Sequence, residues 1–456
     1  MATPISSSVV NESPISVGFI SLGCAKNLVD SEHMAAVLRA GGVTLARSPE
    51  EADIILVNTC GFIGDAKEES IDAILRACTR KQTGDCRAVI VAGCLIQRYQ
   101  AELQRSLPEV DAFIGLDQLP EIAKIVRRLA GGENHIYQVS SVSSKVFSPL
   151  PERILLTGGP FAYVKIAEGC NHKCAFCAIP GIRGRYRSRR ISDIVRESER
   201  LLGQGIRELN LISQDTTRYG SDLDEGTDLP KLLRSLGKIG GNFWIRILYG
   251  HPAYLSDELL ETMADIPQAC RYLDVPVQHA HTEILTAMHR TGGIRAVRSY
   301  PERARSRLPG VILRTTCLVG FPGETRAHFN ELERYVREFE FDHLGVFAFS
   351  PEENTVAGKL PDQVSRVTAE RRRHALMSTQ QEIAFKKAKA HLGEKDEALY
   401  LKPLRKGVWM ARSKGQAPDV DGVTLVHQVK GKVLPGRIAQ IRYTGAEGYD
   451  LKATPL

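Results

Sequence analysis

From residue 16 the chain alternates short apolar runs with longer segments of mixed character. The runs "SVGFISLGC", "ADIILVNTCG" and "RAVIVAGC" are rich in β-branched residues and nearly free of polar positions, the pattern of parallel strands buried on both faces. Between them, "NLVDSEHMAAVLRAGG", which closes on glycines, and "AKEESIDAILRA" have the composition of amphipathic helices. Strand, helix, strand in this order predicts βαβ units and an open, doubly wound parallel sheet. A polar stretch rich in serine, glycine and proline predicts a linker with room for an edge strand. Six further strand-like runs follow, in "FAYVKIAEGC", "ELNLISQD", "WIRILYG", "RYLDVPVQ", "VILRTTCLVGFPGE" and "HLGVFAFSP", and their helix-length connections predict a β/α barrel, open or closed. In "SRVTAERRRHALMSTQQEIAFKKAKAHLGE", Leu376 and Ile383, and Met377 and Ala384, recur at seven-residue spacing, predicting a long charged helix with one packing face. From about residue 391 the period shortens to strands and glycine turns, in "ALYLKP", "GVTLVHQ" and "RIAQIRYTGAEGYDLKA", predicting a small β-barrel. The expected organisation is an α/β parallel-sheet domain at 14–134, a linker at 135–158, a β/α barrel at 159–388 and a small β-barrel at 391–456.

Composition narrows the setting. No apolar run approaches the ~20 residues that span a bilayer, and the start "MATPISSSVVNESP" has neither the basic nor the hydrophobic part of a signal peptide, so a cytoplasmic location is expected. The formal net charge of +7 permits contact with RNA or a ribosome without requiring it. Ten cysteines in a reducing compartment point to metal or redox chemistry rather than disulfides wherever they are grouped.

Two groups stand out. Cys24, Cys60 and Cys94 each end a predicted strand and precede a helix. In a parallel sheet those ends share one edge, so the three thiols can converge, and the helix dipoles favour thiolates there. Any one of them alone reads equally well as a small buried residue; equivalence of position favours ligation. Cys78, Cys86, Cys270 and Cys317 share no such pattern and are expected to pack in cores. The second group, Cys170, Cys174 and Cys177 in "EGCNHKCAFC", lies in one loop after the first barrel strand. Structural zinc takes four protein ligands, whereas three thiolates leave one iron of a four-iron cubane open. His172 inside the loop is awkwardly placed as a fourth ligand and is expected to be an exposed loop histidine.

This triplet, with Phe176 before its last cysteine, resembles the radical S-adenosylmethionine superfamily. The resemblance implies that the open iron chelates the amino and carboxylate groups of S-adenosylmethionine and that Phe176 contacts its adenine or packs as a plug. It also implies reductive cleavage to a 5′-deoxyadenosyl radical and a flavodoxin- or ferredoxin-type electron donor, because the cluster must work at the low end of the iron–sulfur range. "GFPGET", residues 320–325, resembles the superfamily's cofactor-binding strand end, with Gly320 and Glu324 as contacts. Gln214, Asp215, Gln278 and His279 fall beyond strand ends, where they are expected at the barrel mouth, with Gln214 and Gln278 as cofactor contacts. The run "RGRYRSRR", residues 183–190, is expected to be a solvated charged face able to draw an anionic cofactor or partner.

The last domain is similar to the TRAM domain, a binding module. The three domains in this order resemble the methylthiotransferase family over nearly the whole chain. That resemblance implies a second four-iron cluster on Cys24, Cys60 and Cys94 whose open iron holds sulfur. One S-adenosylmethionine would methylate the sulfur and another would supply the radical that opens an unactivated C–H bond. "GFISLGCAKNLVDSE", "NTCGFIGDAKEESIDAI", "GCLIQRY", "IAEGCNHKCAFCAIPGIRGRYRSR" and "LDVPVQHA" resemble the branch that modifies the β-carbon of an aspartate in small-subunit ribosomal protein S-twelve, free or in the small subunit, rather than the branch that modifies a tRNA adenosine. A rival of another class, an iron–sulfur protein that binds RNA or carries electrons, expects sites closed by four cysteines.

Overall fold

A computed structural model describes residues 15–146, 152–223 and 226–456. Within them the chain forms two compact units, residues 15–143 with 152–154, and residues 144–146 with 155–456.

The first unit is a six-stranded sheet of β1 (Ser16–Ser21), β2 (Thr44–Leu45), β3 (Ile54–Thr59), β4 (Ala88–Gly93), β5 (Ala112–Ile114) and β6 (Ile136–Gln138). Their order is β2-β1-β3-β4-β5-β6 and every pairing is parallel. All residues of β3 and β4 are buried, as an unbroken apolar run demands of a sheet covered on both faces. The helices are α1 (Ala25–Ala40), α2 (Gly64–Gln82), α3 (Cys94–Ser106) and α4 (Ile122–Ala130). Ile74 and Ala77 of α2 and Leu95 and Ile96 of α3 bury Ile55, Val57, Val89 and Val91 in one core, while α1 packs against α4. The short strands β2, β5 and β6 have three residues or fewer, too few for a readable period. β6 lies in the stretch expected to be a linker and extends the sheet edge; Arg153, also in that stretch, is buried against Glu32 at 3.1 Å.

In the second unit β7 (Phe161–Lys165) is followed by a small antiparallel ribbon of β8 (Ala167–Glu168) and β9 (Arg187–Ser188). The barrel continues with β10 (Glu208–Ile212), β11 (Trp244–Ile247), β12 (Ala269–Asp274), β13 (Ile312–Val319) and β14 (His343–Ala348). These six long runs, all read from the sequence, pair in parallel and in chain order, with β7 and β14 as the two edges of an open barrel. Helices α5 (Ile179–Arg183), α6 (Ile191–Gly203), α7 (Leu229–Gly237), α8 (Asp257–Asp265), α9 (Thr282–Ala287), α10 (Gly293–Arg307) and α11 (Arg326–Phe339) fill the connections. The long helix α12 (Arg366–Ala390) buries Leu376 and Ile383 in the barrel's core, with Met377 packed at its margin. Each full burial of that kind stabilises by about 1.5–3 kcal/mol.

A closed barrel of β15 (Lys395–Arg405), β16 (Val408–Ser413), β17 (Thr424–Val426), β18 (Ile438–Glu447) and β19 (Asp450–Pro455) ends the chain. It belongs to the second unit because polar groups from all six long strands hold it. The Glu208 carboxylate lies between Arg246 (2.8 Å) and Arg412, all three fully buried. Asp421 accepts from Tyr272 and Arg314, each at 2.6 Å; Asp419 accepts from Tyr163 at 2.7 Å; and His343 Nε2 donates to the Gly415 carbonyl. On four strands these docking residues precede the candidate site residue by about six positions, or ~20 Å of strand. The small barrel is therefore fixed away from the loops that carry the cysteine triplet.

Candidate functional site

In the first unit the three strand-end cysteines sit side by side because β1, β3 and β4 are neighbours in the sheet. Cys24 caps α1, Cys60 directly follows β3, and Cys94 opens α3. Backbone contacts bring them together. A Cβ on Gly23 would lie 2.7 Å from Cys60 Cβ and 3.0 Å from its Sγ, so residue 23, at φ +87°, must be glycine for the first and second cysteines to approach. Residue 61 meets the Leu95 backbone and the Cys94 carbonyl as closely. Asn27 joins all three segments: its amide donates to the carbonyls of Leu22 (3.1 Å) and Thr59 (2.8 Å), and its oxygen accepts from Cys94 Sγ at 3.4 Å. Asn58 and Ser70 support it, Asn58 donating to the Asn27 carbonyl and Ser70 bonding both backbone groups of Cys60. Sequence reasoning missed Asn27, since its partners lie up to 67 residues away.

In the second unit the loop after β8 carries Cys170, Cys174 and Cys177. It is anchored at Ala175, whose N–H donates to the Met288 carbonyl (2.9 Å) and whose carbonyl accepts from Ala357 N–H (2.8 Å). The His172 N–H donates to Cys170 Sγ at 3.4 Å. Burial pushes the Cys170 thiol up to about 11 and the Cys177 thiol up to about 12, with Arg290 opposing the shift in both. Phe176 packs beside Ala175, Met288 and Phe321, which fits the plug, one of the two roles its position allows.

His172 differs from expectation. Its ring is mostly buried, donates through Nε2 to Asp215 Oδ2 at 2.6 Å, and stacks on His251 with centroids 4.5 Å apart. Asp215 is itself held by the Thr217 N–H, and its carbonyl accepts from Tyr186. Burial, and then Arg290, push His251 down to about 2, so it stacks as a neutral ring. The aspartate that bonds the histidine lies 43 residues away, which is why spacing inside the loop did not reveal the pairing.

The charged run 183–190 is also corrected. Arg183 is buried against Glu168 (2.8 Å), Arg189 against Glu197 (2.6 Å), and Tyr186 is buried between them; only Arg185 and Arg190 are exposed. Burial works to raise the Glu168 carboxyl, but Arg183 and Lys165 outweigh it and hold it ionised. The run is structural because β8 and β9 fold it back over the site.

Gln214 donates to Glu168 Oε1 at 3.2 Å, which places it beside the cysteine loop. Gln278, at φ +72°, pairs its backbone with Thr316 and Leu318 and leaves its half-buried side chain at the strand end. His279 is fully buried, lowered by burial, and lies 3.9 Å from Glu324. Glu324 turns inward: its carboxylate accepts from the N–H groups of Gly320 and Phe321. Gly320 is at φ +75°, with Ala369 of α12 2.4 Å from where a Cβ would stand. Both residues thus shape the loop: Glu324 Oε2 is taken by its own backbone, while Oε1 is buried without a hydrogen-bond partner. Cys78, Cys86 and Cys317 pack in the cores, and Cys270 is fully buried.

Three comparisons bear on this arrangement. Residues 16–115 match the family described as Uncharacterized protein family UPF0004, residues 164–336 the Radical SAM superfamily, and residues 397–456 the TRAM domain. The fold is similar to the radical S-adenosylmethionine methyltransferase TsrM from Kitasatospora setae, with a TM-score of 0.56 and 15% identity over 76% of this chain and 77% of that one. It is also similar to the cobalamin-dependent radical enzyme OxsB, with a TM-score of 0.53 over 81% of this chain and 56% of that one. A parallel-sheet domain, a radical barrel and a TRAM barrel in this order define a radical S-adenosylmethionine methylthiotransferase.

Among sequence relatives, a protein of Syntrophus aciditrophicus (strain SB) named Ribosomal protein uS12 methylthiotransferase RimO is 48% identical over 96% of this chain and 98% of its own length. One of the same name from Symbiobacterium thermophilum is 45% identical over 96% and 90%. The chain belongs to the RimO family of methylthiotransferases. Enzymes of this family work with S-adenosylmethionine and two four-iron clusters. No helix among the described residues is long and apolar enough to cross a membrane.

Proposed function

We propose that this chain attaches a methylthio group to the β-carbon of an aspartate in small-subunit ribosomal protein uS12, free or within the small subunit. The observation that carries the reading is that two separate sets of three cysteines are each brought to strand ends, while the other four cysteines are packed in cores. Three thiolates, with no fourth protein ligand among the described residues, fit a four-iron cluster with one exchangeable iron and do not fit structural zinc. The relatives' printed names support the substrate.

In this reading Cys170, Cys174 and Cys177 hold one cluster and Cys24, Cys60 and Cys94 the other. Bound there, the first cluster with S-adenosylmethionine supplies hydrogen abstraction from an unactivated carbon, and the second, with a further S-adenosylmethionine as methyl donor, supplies the methylated sulfur. The protein's part is to hold and orient. The Ala175 anchors and the His172–Asp215 bond fix the triplet's loop. Phe176, Gln214 and Gln278 offer a ring and two amides to the cofactor, and Gly320 and Glu324 keep the facing strand end in shape. Asn27 holds the other three cysteines in register. A flavodoxin- or ferredoxin-type protein supplies the electrons.

The test is anaerobic incubation of the reconstituted protein with S-adenosylmethionine, reductant and sulfide, offering uS12 and bulk tRNA separately. Mass spectrometry should find a methylthio group on an aspartate of uS12 and none in tRNA. Methylthio-adenosine in the tRNA and an unmodified uS12 would overturn the substrate.

A further inference from the structure

Among the described residues, one cation beside the triplet has no counter-ion. Arg290, between α9 and α10, reaches to 3.9 Å from Cys174 Sγ through Nη1 and donates through Nη2 to the Pro276 carbonyl. Its Nε is buried without a hydrogen-bond partner, and among the described residues no carboxylate stands within ion-pair distance of it. The position is not a matter of side-chain chance. Two residues earlier, the Met288 carbonyl takes the Ala175 N–H, and the Met288 side chain packs with Phe176, so the segment bearing the guanidinium and the loop bearing the thiols are one fixed piece.

Holding a cation partly out of water without an anion is costly, and proteins rarely do so unless something charged completes the site. The group able to carry negative charge that Arg290 reaches is the Cys174 thiol, and the guanidinium's charge is felt by Cys170 and Cys177 as well. Ligated as thiolates to a four-iron cubane, the three thiols form an anion that gains one further negative charge on reduction.

We infer that Arg290 is the counter-charge of the cluster held by Cys170, Cys174 and Cys177 and sets its reduction potential. The inference rests on the cluster reading of that triplet. The step concerned moves one electron from an external reductant onto the cluster; arginine stays protonated throughout, and no bond forms or breaks at it. A positive charge stabilises the more negative, reduced state, and an N–H directed at a ligand sulfur acts in the same sense, so Arg290 raises the potential. The His172 N–H on Cys170 Sγ is a second donor of that kind.

The test is a potentiometric titration followed by electron paramagnetic resonance on the full chain, reconstituted anaerobically, with Cys24, Cys60 and Cys94 replaced by alanine so that one cluster is seen. Arg290→Gln should lower the reduction equilibrium constant about tenfold, a shift of ~59 mV to more negative potential, and Arg290→Lys should stay near the parent. A parent midpoint in Arg290→Gln at full iron content overturns the inference. If Arg290→Gln fails to hold iron, Arg290→Lys must restore both iron and midpoint; failure to do so also overturns it. A parent chain without any four-iron signal sinks the cluster reading itself, whereas a normal parent signal with an unmoved midpoint sinks only the role of Arg290.

Discussion

The side-chain oxygen of Asn27 lies 3.4 Å from the sulfur of Cys94, and the amide of the same side chain binds the carbonyl that precedes Cys60. One residue of the first helix thus ties the loop that bears the first cysteine to the strand ends that bear the other two. Asn27→Ala removes three bonds and leaves the buried Thr59 carbonyl short of a partner, a cost of about 1–3 kcal/mol. We expect iron occupancy of the first unit to fall while that of the triplet is retained, measured as iron per chain in a background lacking Cys170, Cys174 and Cys177.

Single cysteine variants should separate the two sites by product. Cys174→Ala is expected to abolish 5′-deoxyadenosine formation under reducing, oxygen-free conditions. Cys60→Ala is expected to spare part of that cleavage and to stop sulfur transfer. Chromatography of the nucleoside and mass spectrometry of uS12 read the two outcomes, and normal transfer by Cys60→Ala would refute the convergence of Cys24, Cys60 and Cys94 on one cluster.

Docking of the small barrel should depend on pH through Glu208. Burial alone would raise its carboxyl, but Arg412 and Arg246 outweigh it and hold it below the usual range. A carboxyl lowered in the folded state stabilises fully above its unfolded value of about 4.3 and loses that contribution as pH falls through the folded value. Glu208→Gln leaves two buried guanidinium groups facing each other and should cost about 3–5 kcal/mol at neutral pH. In thermal melts of the cluster-free chain, the gap between parent and variant should narrow as the pH is taken below about 4. A gap of constant size would contradict the ion-pair account.

Gly320→Ala tests the packing of α12 on the loop beyond β13. The new methyl would lie 2.4 Å from the Ala369 Cβ at a positive φ. The left-handed backbone alone costs about 1–2 kcal/mol for alanine, with the overlap added to it. Pairing it with Ala369→Gly should recover the overlap and not the backbone term, as a partial return of the melting temperature.

The elements legible in the sequence are those whose signal is local. Unbroken β-branched runs gave the nine long parallel strands of the two sheets, and cysteines at their ends, or at short spacing in one loop, marked both sites. The short strands Thr44–Leu45 and Ala112–Ile114 carry no period and were invisible. The groups that hold the sites are invisible for a different reason: Asn27, His172 and Arg290 act on partners 67, 43 and 116 residues distant. Arg183 and Arg189 read as a solvated run because Glu168 becomes a neighbour of Arg183 only when the β8–β9 ribbon forms, and Glu197 meets Arg189 only from the helix that follows.

The central claim is that the chain holds two independent clusters, each on three cysteines. Iron analysis with Mössbauer spectroscopy of two triple variants tests it most directly, one with Cys24, Cys60 and Cys94 replaced by alanine and one with Cys170, Cys174 and Cys177 replaced. Each should keep half the iron of the parent, all of it in four-iron form. A triple variant that keeps all of the parent's iron, or loses all of it, would contradict the account.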